Sequence, residues 1–109
     1  MIDMAYSIEQ FRALNNPETM VVTQHSRKRF AERGIKLDDV CEAINTGTII
    51  EDYPNDFPFP SCLILGKTKE KNLHVCASIN DGFVYIITSY IPDPEKWEED
   101  LKTRKEQAK

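Results

Sequence analysis

The spacing of apolar residues changes from helical to alternating at Gly47, and this change most constrains how the chain can fold. In the segment before Gly47, apolar residues recur every three or four positions, as they do on one face of a helix. These residues are Leu37, Val40, Cys41 and Ile44. After Gly47, four segments that are rich in apolar residues and bounded by turn residues predict strands of an antiparallel sheet, whose side chains alternate between its two faces. The four segments are Thr48–Tyr53, Ser61–Lys67, Leu73–Ile79 and Phe83–Ile91.

Two further helices are expected before the helix that spans Leu37 to Thr46. Ser7–Gln10 has the pattern of a capping box, and the helix that it starts should end before Asn15–Pro17. A second helix is expected over His25–Arg33, with Gly34 as its stop signal. Between these helices, Met20–Val22 indicates a short extended segment.

The residues after the last strand predict one more helix. Asp93 supplies an N-cap and Pro94 suits the first helical position, so this helix would pack through Trp97 and Leu101. The charged segment 102–109 is expected to fray. A chain of 109 residues fits one domain. The predicted architecture is a single α+β domain over residues 1–109, with N-terminal helices on a four-stranded antiparallel meander and a C-terminal helix.

The turn between the last two strands predicts their register. Asn80–Gly82 suits a three-residue loop in which the glycine is left-handed. That loop places His74 directly across from Thr88, with Tyr90 one step along the same strand. A two-residue loop would instead place His74 opposite Ser89 and would mix the apolar and polar faces. The hydrophobic pattern therefore favours the three-residue loop.

Composition excludes several classes of protein. The longest apolar runs, Cys62–Leu65 and Phe83–Ile87, are far shorter than the roughly 20 residues of a membrane span. The first residues lack the charged start and apolar run of a secretion signal, so a cytoplasmic location is expected. Three cysteines without a CxxC pair, and only two histidines, predict neither a disulfide framework nor a metal site. No cofactor is expected.

Charge is distributed unevenly along the chain. The net charge of −4 argues against a protein whose main role is to bind nucleic acid. Residues 24–36, however, hold five basic residues and one acidic residue, whereas residues 38–66 hold six acidic residues and no basic ones. The basic stretch comprises Arg27, Lys28, Arg29, Arg33 and Lys36.

His25, Arg29 and Arg33 are spaced four residues apart, so they share one face of the second helix. Two interpretations are open. The face is either a solvated basic surface or an anion site, in which an imidazole beside two guanidinium groups would suit a phosphate or a phosphorane-like transition state.

His74, Thr88 and Tyr90 form a second candidate group on the sheet. An imidazole, a hydroxyl and a phenol on one face could position a scissile phosphate or an unstacked base. The alternative is a semi-buried histidine held by hydrogen bonds. Phe57 and Phe59, in a proline-rich loop, could stack on bases or could pin the loop onto the sheet.

Several blocks of this sequence resemble the domain-of-unknown-function 4258 family. The blocks are His25–Ile35, Asp39-Val40, Gly47, Cys62–Gly66, Leu73–Val75 and Ile87–Pro94. The resemblance covers about residues 22–97. Where the family tends to have alanine after the helix histidine and serine before the third helix, this chain has Ser26 and Lys36, so the third helix lacks a good N-cap.

That family is similar in outline to RelE-like and barnase-like ribonuclease toxins. The resemblance implies metal-independent RNA cleavage, in which a base removes the 2′-hydroxyl proton and cations stabilise the pentacoordinate phosphate. The implied catalytic positions are His25, Arg29, Arg33, His74, Thr88 and Tyr90. We therefore expect an RNA-cleaving, toxin-like domain, with RNA and a small antitoxin-like protein as candidate partners. The alternative is a non-catalytic module that holds an anionic ligand or a partner protein on the same basic face.

Overall fold

The structure is a computed structural model that describes residues 5–106. These residues form three helices and five strands, which confirms the predicted α+β class. In chain order the elements are α1 (Ile8–Ala13), β1 (Met20–Val22), α2 (Gln24–Glu32), α3 (Leu37–Thr46), β2 (Thr48–Tyr53), β3 (Ser61–Lys67), β4 (Asn72–Asn80) and β5 (Phe83–Tyr90).

Local hydrogen bonds explain where the helices begin. The Gln10 side chain accepts a hydrogen bond from the Ser7 backbone N–H (2.7 Å), as in the predicted capping box. Thr23 caps α2, because its Oγ1 accepts from the Ser26 backbone N–H. At α3, Lys36 provides no side-chain cap, and the Asp39 carboxylate accepts from the Lys36 N–H instead. This hydrogen bond is the main cause that lowers the pKa of Asp39.

The five strands form one sheet in the order β1-β5-β4-β3-β2. Strands β2 to β5 form the expected antiparallel meander, but β1 adds a fifth strand that runs parallel to β5. The prediction of four strands is therefore incomplete. A three-residue strand is too short to show a period of two, and only its pairing with β5 defines it.

Helices α1 and α3 pack on one face of the sheet. Phe11 of α1 and Ile44 of α3 are fully buried there, against Ile64 of β3 and Val75 of β4. Helix α3 approaches β3 so closely that a Cβ on Gly66 would lie only 1.9 Å from the carbonyl oxygen of Ala43. The opposite face of the sheet is therefore the one available to loops and ligands.

The predicted register of the last hairpin is wrong. Asn80 pairs with Phe83, so the loop has two residues rather than three. Both loop residues are left-handed, with φ of +52° at Asp81 and +80° at Gly82, as a two-residue hairpin turn requires. His74 lies opposite Tyr90, not opposite Thr88.

A β-bulge explains why the hydrophobic pattern misled the prediction. Cys76 pairs with Thr88, whereas the next residue, Ala77, pairs with Ile86, so Ile87 is an extra residue on β5. The bulge turns Ile86 towards the helices and leaves Thr88 on the other face. The bulge therefore separates apolar from polar side chains on the two faces of the sheet. The prediction had explained this separation by a three-residue loop.

The predicted C-terminal helix is absent from the described residues. One turn starts at Asp93, whose carbonyl accepts from the Lys96 and Trp97 N–H groups, and the chain then folds back so that Trp97 pairs with Arg104. We call residues 93–105 the C-terminal strap. Asp100 accepts hydrogen bonds from the backbone N–H groups of residues 102 and 103, which closes a tight loop where a helix was expected.

Contacts within the strap also disagree with the predicted fraying of residues 102–109. The Lys105 N–H donates to the Lys96 carbonyl (2.9 Å), and the Arg104 side chain binds Glu51 of β2. Residues 107–109 lie outside the described part of the chain.

Candidate functional site

His74 lies under the C-terminal strap and is fully buried. Its Nε2 is 2.8 Å from the Leu101 carbonyl oxygen, and its Nδ1 is 3.2 Å from the Tyr90 hydroxyl. Because a carbonyl can only accept, Nε2 carries the proton and Nδ1 accepts from Tyr90. The Trp97 ring packs edge-on against the imidazole, with 4.4 Å between ring centroids. This geometry corresponds to the alternative of a hydrogen-bonded histidine, with both ring nitrogens engaged by groups of the chain itself.

Burial lowers the pKa of His74 below its ordinary value of 6.5. The unfolded chain then binds this proton more readily than the folded chain does. We therefore expect the free energy of unfolding to decrease as the pH falls below about 6.5 and through the folded pKa. Urea unfolding at about pH 7.5 and about pH 5.5 measures this decrease.

The matched control for this pH dependence is His74→Gln, which keeps His25 and removes only the buried imidazole. Its stability should depend less on pH over the same interval. Glu51 and Arg104 are the charged groups nearest to His74, and the pKa of Glu51 is lowered chiefly by its hydrogen bonds to Arg104, so Glu51 titrates at lower pH. Equal pH dependence in both proteins would contradict the assignment to His74.

Arg104 fastens the strap to the edge of the sheet. Its guanidinium donates two hydrogen bonds to the Glu51 carboxylate, each 2.9 Å long. Tyr53 donates to the same carboxylate, and burial together with this carboxylate raises the pKa of the Tyr53 hydroxyl. The guanidinium also lies 4.6 Å from the Trp97 ring centroid. Sequence analysis missed these residues because the contacts join distant parts of the chain.

Helix α2 lies beside the second half of β5, beyond the last residue that pairs with β1. Arg33 donates to the Ser89 carbonyl oxygen (2.8 Å) and to the Thr88 hydroxyl (3.3 Å). Ser26 donates to the Ile87 carbonyl oxygen (3.3 Å). The structure therefore brings Arg33 and Thr88 together, and side chains of α2 and its C-cap donate to two backbone carbonyl groups of β5.

The other predicted residues of α2 project into solvent. We define the cationic surface as the exposed basic side chains of this helix and its C-cap. They are His25, Arg27, Lys28, Arg29 and Arg33. Glu32 is the one acidic residue of α2. The structure joins the two predicted groups at Arg33 and Thr88, whereas the buried His74 is paired with the half-buried Tyr90.

An aromatic cleft lies next to the start of α2, between the loop of residues 54–60 and β5. We define it by Phe57, Phe59 and Tyr85, and its volume is about 500 Å³. Phe59 packs against Tyr85 with 6.3 Å between ring centroids, so Phe59 pins the loop to the sheet. Phe57 instead is 89% exposed. The sequence left two roles open for these phenylalanines, and each applies to one of them. Phe59 pins the loop to the sheet, whereas the side chain of Phe57 is open to a ligand.

The fold and the site define a small α+β domain, with helices on one sheet face and a cationic helix beside its last strand. The chain matches the model of a family described as Domain of unknown function (DUF4258) over residues 22–91. It belongs to that family, as its motifs predicted. Comparison with curated proteins and with solved structures found no match. The matched residues include the cationic surface and the aromatic cleft, whereas the strap follows them.

Within residues 5–106, no helix is long and apolar enough to cross a bilayer. In the same part of the chain, no three His, Cys, Asp or Glu side chains are grouped closely enough to hold a metal ion.

Proposed function

We propose that this protein binds RNA, with the phosphate backbone along the cationic surface of α2. The observation that supports this proposal is the exposure of these basic side chains on one short helix that has a single acidic residue. Basic side chains that neutralise phosphates supply most of the affinity of nucleic-acid binding, through counterion release. Residues 24–36 carry a charge of +4 and the remaining residues carry −8, so the rest of the chain repels a polyanion and would confine it to this helix.

The dimensions of α2 agree with contacts to more than one phosphate. Each helical residue rises about 1.5 Å, so the line from His25 through Arg29 to Arg33 extends for roughly 12 Å. Successive nucleotides of one strand in a duplex are spaced about 3.4 Å along the axis. Arg33 is held by the Ser89 carbonyl, which fixes one end of this line to the sheet.

RNA cleavage is the second candidate function, and the exposed imidazole of His25 beside the guanidinium groups favours it. His25 would remove the proton from a 2′-hydroxyl, whose oxygen would attack the adjacent phosphorus. Arg29 and Arg33 would stabilise the pentacoordinate phosphate. The bond between phosphorus and the 5′ oxygen would then break, the 5′ oxygen would take a proton from solvent water, and a 2′,3′-cyclic phosphate would remain. Thr88 contacts Arg33 and would help to place the phosphate. His74 has no part in this scheme, since both its ring nitrogens are bonded under the strap.

Replacing Arg27, Lys28 and Arg29 together by alanine should weaken binding of a short single-stranded RNA at least tenfold. Each lost phosphate contact also lowers the slope of log K against log salt by about 0.7, so the triple variant should lose roughly 2 from this slope. Fluorescence anisotropy at about 50 mM and about 150 mM salt measures both effects.

The matched control removes the same charge elsewhere, at the exposed residues Lys67, Lys69 and Lys96. This control should bind RNA nearly as well as the wild type. Equal losses in both triple variants would overturn the assignment to α2, because they would indicate a general effect of charge. A cleavage assay with His25→Ala distinguishes the two candidate functions: loss of cleavage with retained binding supports catalysis, and absence of cleavage in the wild type leaves binding alone.

A further inference from the structure

The most unusual exposed side chain near α2 is Phe57. It is 89% exposed at the rim of the aromatic cleft, on a loop that contains Pro54, Pro58 and Pro60. Phe57 does not stand alone, because it lines one cleft together with Phe59, Tyr85 and Ile87, and a contiguous exposed apolar patch of this kind marks an interaction site. Phe59, two residues later, anchors the loop on Tyr85 and so fixes the position of Phe57.

The size and lining of the cleft suit a flat organic group. Its volume of about 500 Å³ lies within the range of roughly 300–1,000 Å³ that is usual for small-molecule sites. Three aromatic rings line the cleft, and Ile87, the extra residue of the β5 bulge, lines it as well. Every nucleobase has a π-face that stacks on such rings without regard to sequence.

The cleft adjoins the cationic surface. Thr23 lines the cleft and is also the N-cap of α2, so His25 follows it by only two residues. The hydroxyl of Ser26 donates to the carbonyl of Ile87, which ties the first turn of α2 to the cleft wall. A phosphate on α2 and a base in the cleft can therefore belong to the same short stretch of one strand.

Charge inside the cleft distinguishes a base from a phosphate. Asp56 lines the cleft, and its carboxylate is held by the Ser61 hydroxyl (2.6 Å) and by the Phe57 backbone N–H (3.0 Å). A fixed carboxylate repels phosphate but accepts hydrogen bonds from the N–H groups of a base. The negative charge is thus in the cleft and the positive charge on the adjoining helix, which is the complement of a nucleotide.

From this arrangement we infer that the aromatic cleft takes an unstacked base of the RNA that α2 holds by its phosphates, and hence that the protein selects single-stranded RNA. The inference rests on the proposed RNA binding and adds to it the form of RNA that is bound. Bases in a duplex are stacked and paired, so they cannot enter the cleft.

Phe57→Ala tests the inference by fluorescence anisotropy with a single-stranded RNA of about eight nucleotides. Loss of one base–aromatic contact should weaken binding about tenfold, and the salt dependence should stay unchanged because no phosphate contact is lost. Since Phe57 is exposed, the variant should keep the thermal midpoint of the wild type. An abasic oligomer of equal length should bind the wild type and Phe57→Ala equally.

The matched control is Phe83→Ala, which removes another exposed phenylalanine that does not line the cleft. It should leave the affinity for single-stranded RNA unchanged. If the wild type binds RNA and Phe57→Ala binds it equally well, the cleft does not take a base, but the proposed function stands. The cleft would then be a site for a side chain of a partner protein. If the wild type binds no RNA, the proposed function itself fails.

Discussion

Replacing Gly66 by alanine is expected to lower the free energy of unfolding by at least about 3 kcal/mol. The added Cβ would lie 1.9 Å from the carbonyl oxygen of Ala43, and 2.5 Å and 2.6 Å from the carbonyl carbon and Cα of that residue. All three atoms belong to the backbone of α3, so no side-chain rotation relieves the overlap. Helix α3 would have to move away from β3 and open the core. Urea unfolding, followed by circular dichroism, measures the loss.

Gly34→Ala is the matched control for Gly66→Ala. Gly34 has a φ of +70°, and no atom lies within 4 Å of the position of an added Cβ. Alanine there should cost only about 1 kcal/mol, which is the cost of a left-handed conformation for a residue with a Cβ. If Gly66→Ala were as stable as Gly34→Ala, the close packing of α3 on β3 would be wrong.

Removing the Trp97 ring is the second change with a large expected effect. The side chain is 3% exposed and packs on His74, so Trp97→Ala should lower the free energy of unfolding by about 3 kcal/mol. The cavity left by the missing ring would also loosen the C-terminal strap and expose the His74 imidazole to water. NMR should then show faster exchange of the His74 ring N–H with water.

Two variants separate the packing of Trp97 from the ion pair of the strap. Trp97→Phe keeps an aromatic ring over His74 and should lose less stability than Trp97→Ala. Arg104→Ala removes a partly exposed ion pair with Glu51 and should cost no more than about 1 kcal/mol. A Trp97→Ala variant with wild-type stability and a protected His74 N–H would contradict the strap's role as a cover.

The elements that the sequence predicted well are those with strong local signals. Helix α3 has a regular apolar stripe and a terminal glycine, and its bounds, Leu37–Thr46, agree with the prediction. Strands β2 and β3 also match, because Gly47 precedes the first of them and the proline-rich loop separates the two. These signals depend on neighbours in the sequence and require no knowledge of the tertiary structure.

The errors occurred where distant residues decide the local structure. Phe83–Ile87 is a continuous apolar run, so the sequence permits either face of β5 to be the buried one, and no local residue marks Ile87 as the extra residue of a bulge. Likewise, Asp93 and Pro94 suit a helix, but Trp97 packs on His74 and Arg104 binds Glu51 instead. Tertiary contacts there outweigh local helix propensity.

The candidate site, like the fold, was predictable only in part. A spacing of four residues places His25, Arg29 and Arg33 on one helix face, and this surface is exposed as expected. The aromatic cleft was not predictable, because it exists only where the loop of residues 54–60 meets Tyr85 of β5. The sequence offered Phe57 and Phe59 as candidates but did not indicate which of them would be engaged with the sheet.

The parallel pairing of β1 with β5 determines when the cationic helix acquires its support. During synthesis, α2 leaves the ribosome well before β5, which holds it through the carbonyl groups of Ile87 and Ser89. Helix α3 can dock earlier, on β3 and β4, whereas β1 and α2 must wait for the final strand. Non-local pairing of this kind forms slowly. The proposed RNA-binding surface is therefore expected to gain its support last, because a nascent chain that stops before β5 lacks the carbonyl groups that hold α2.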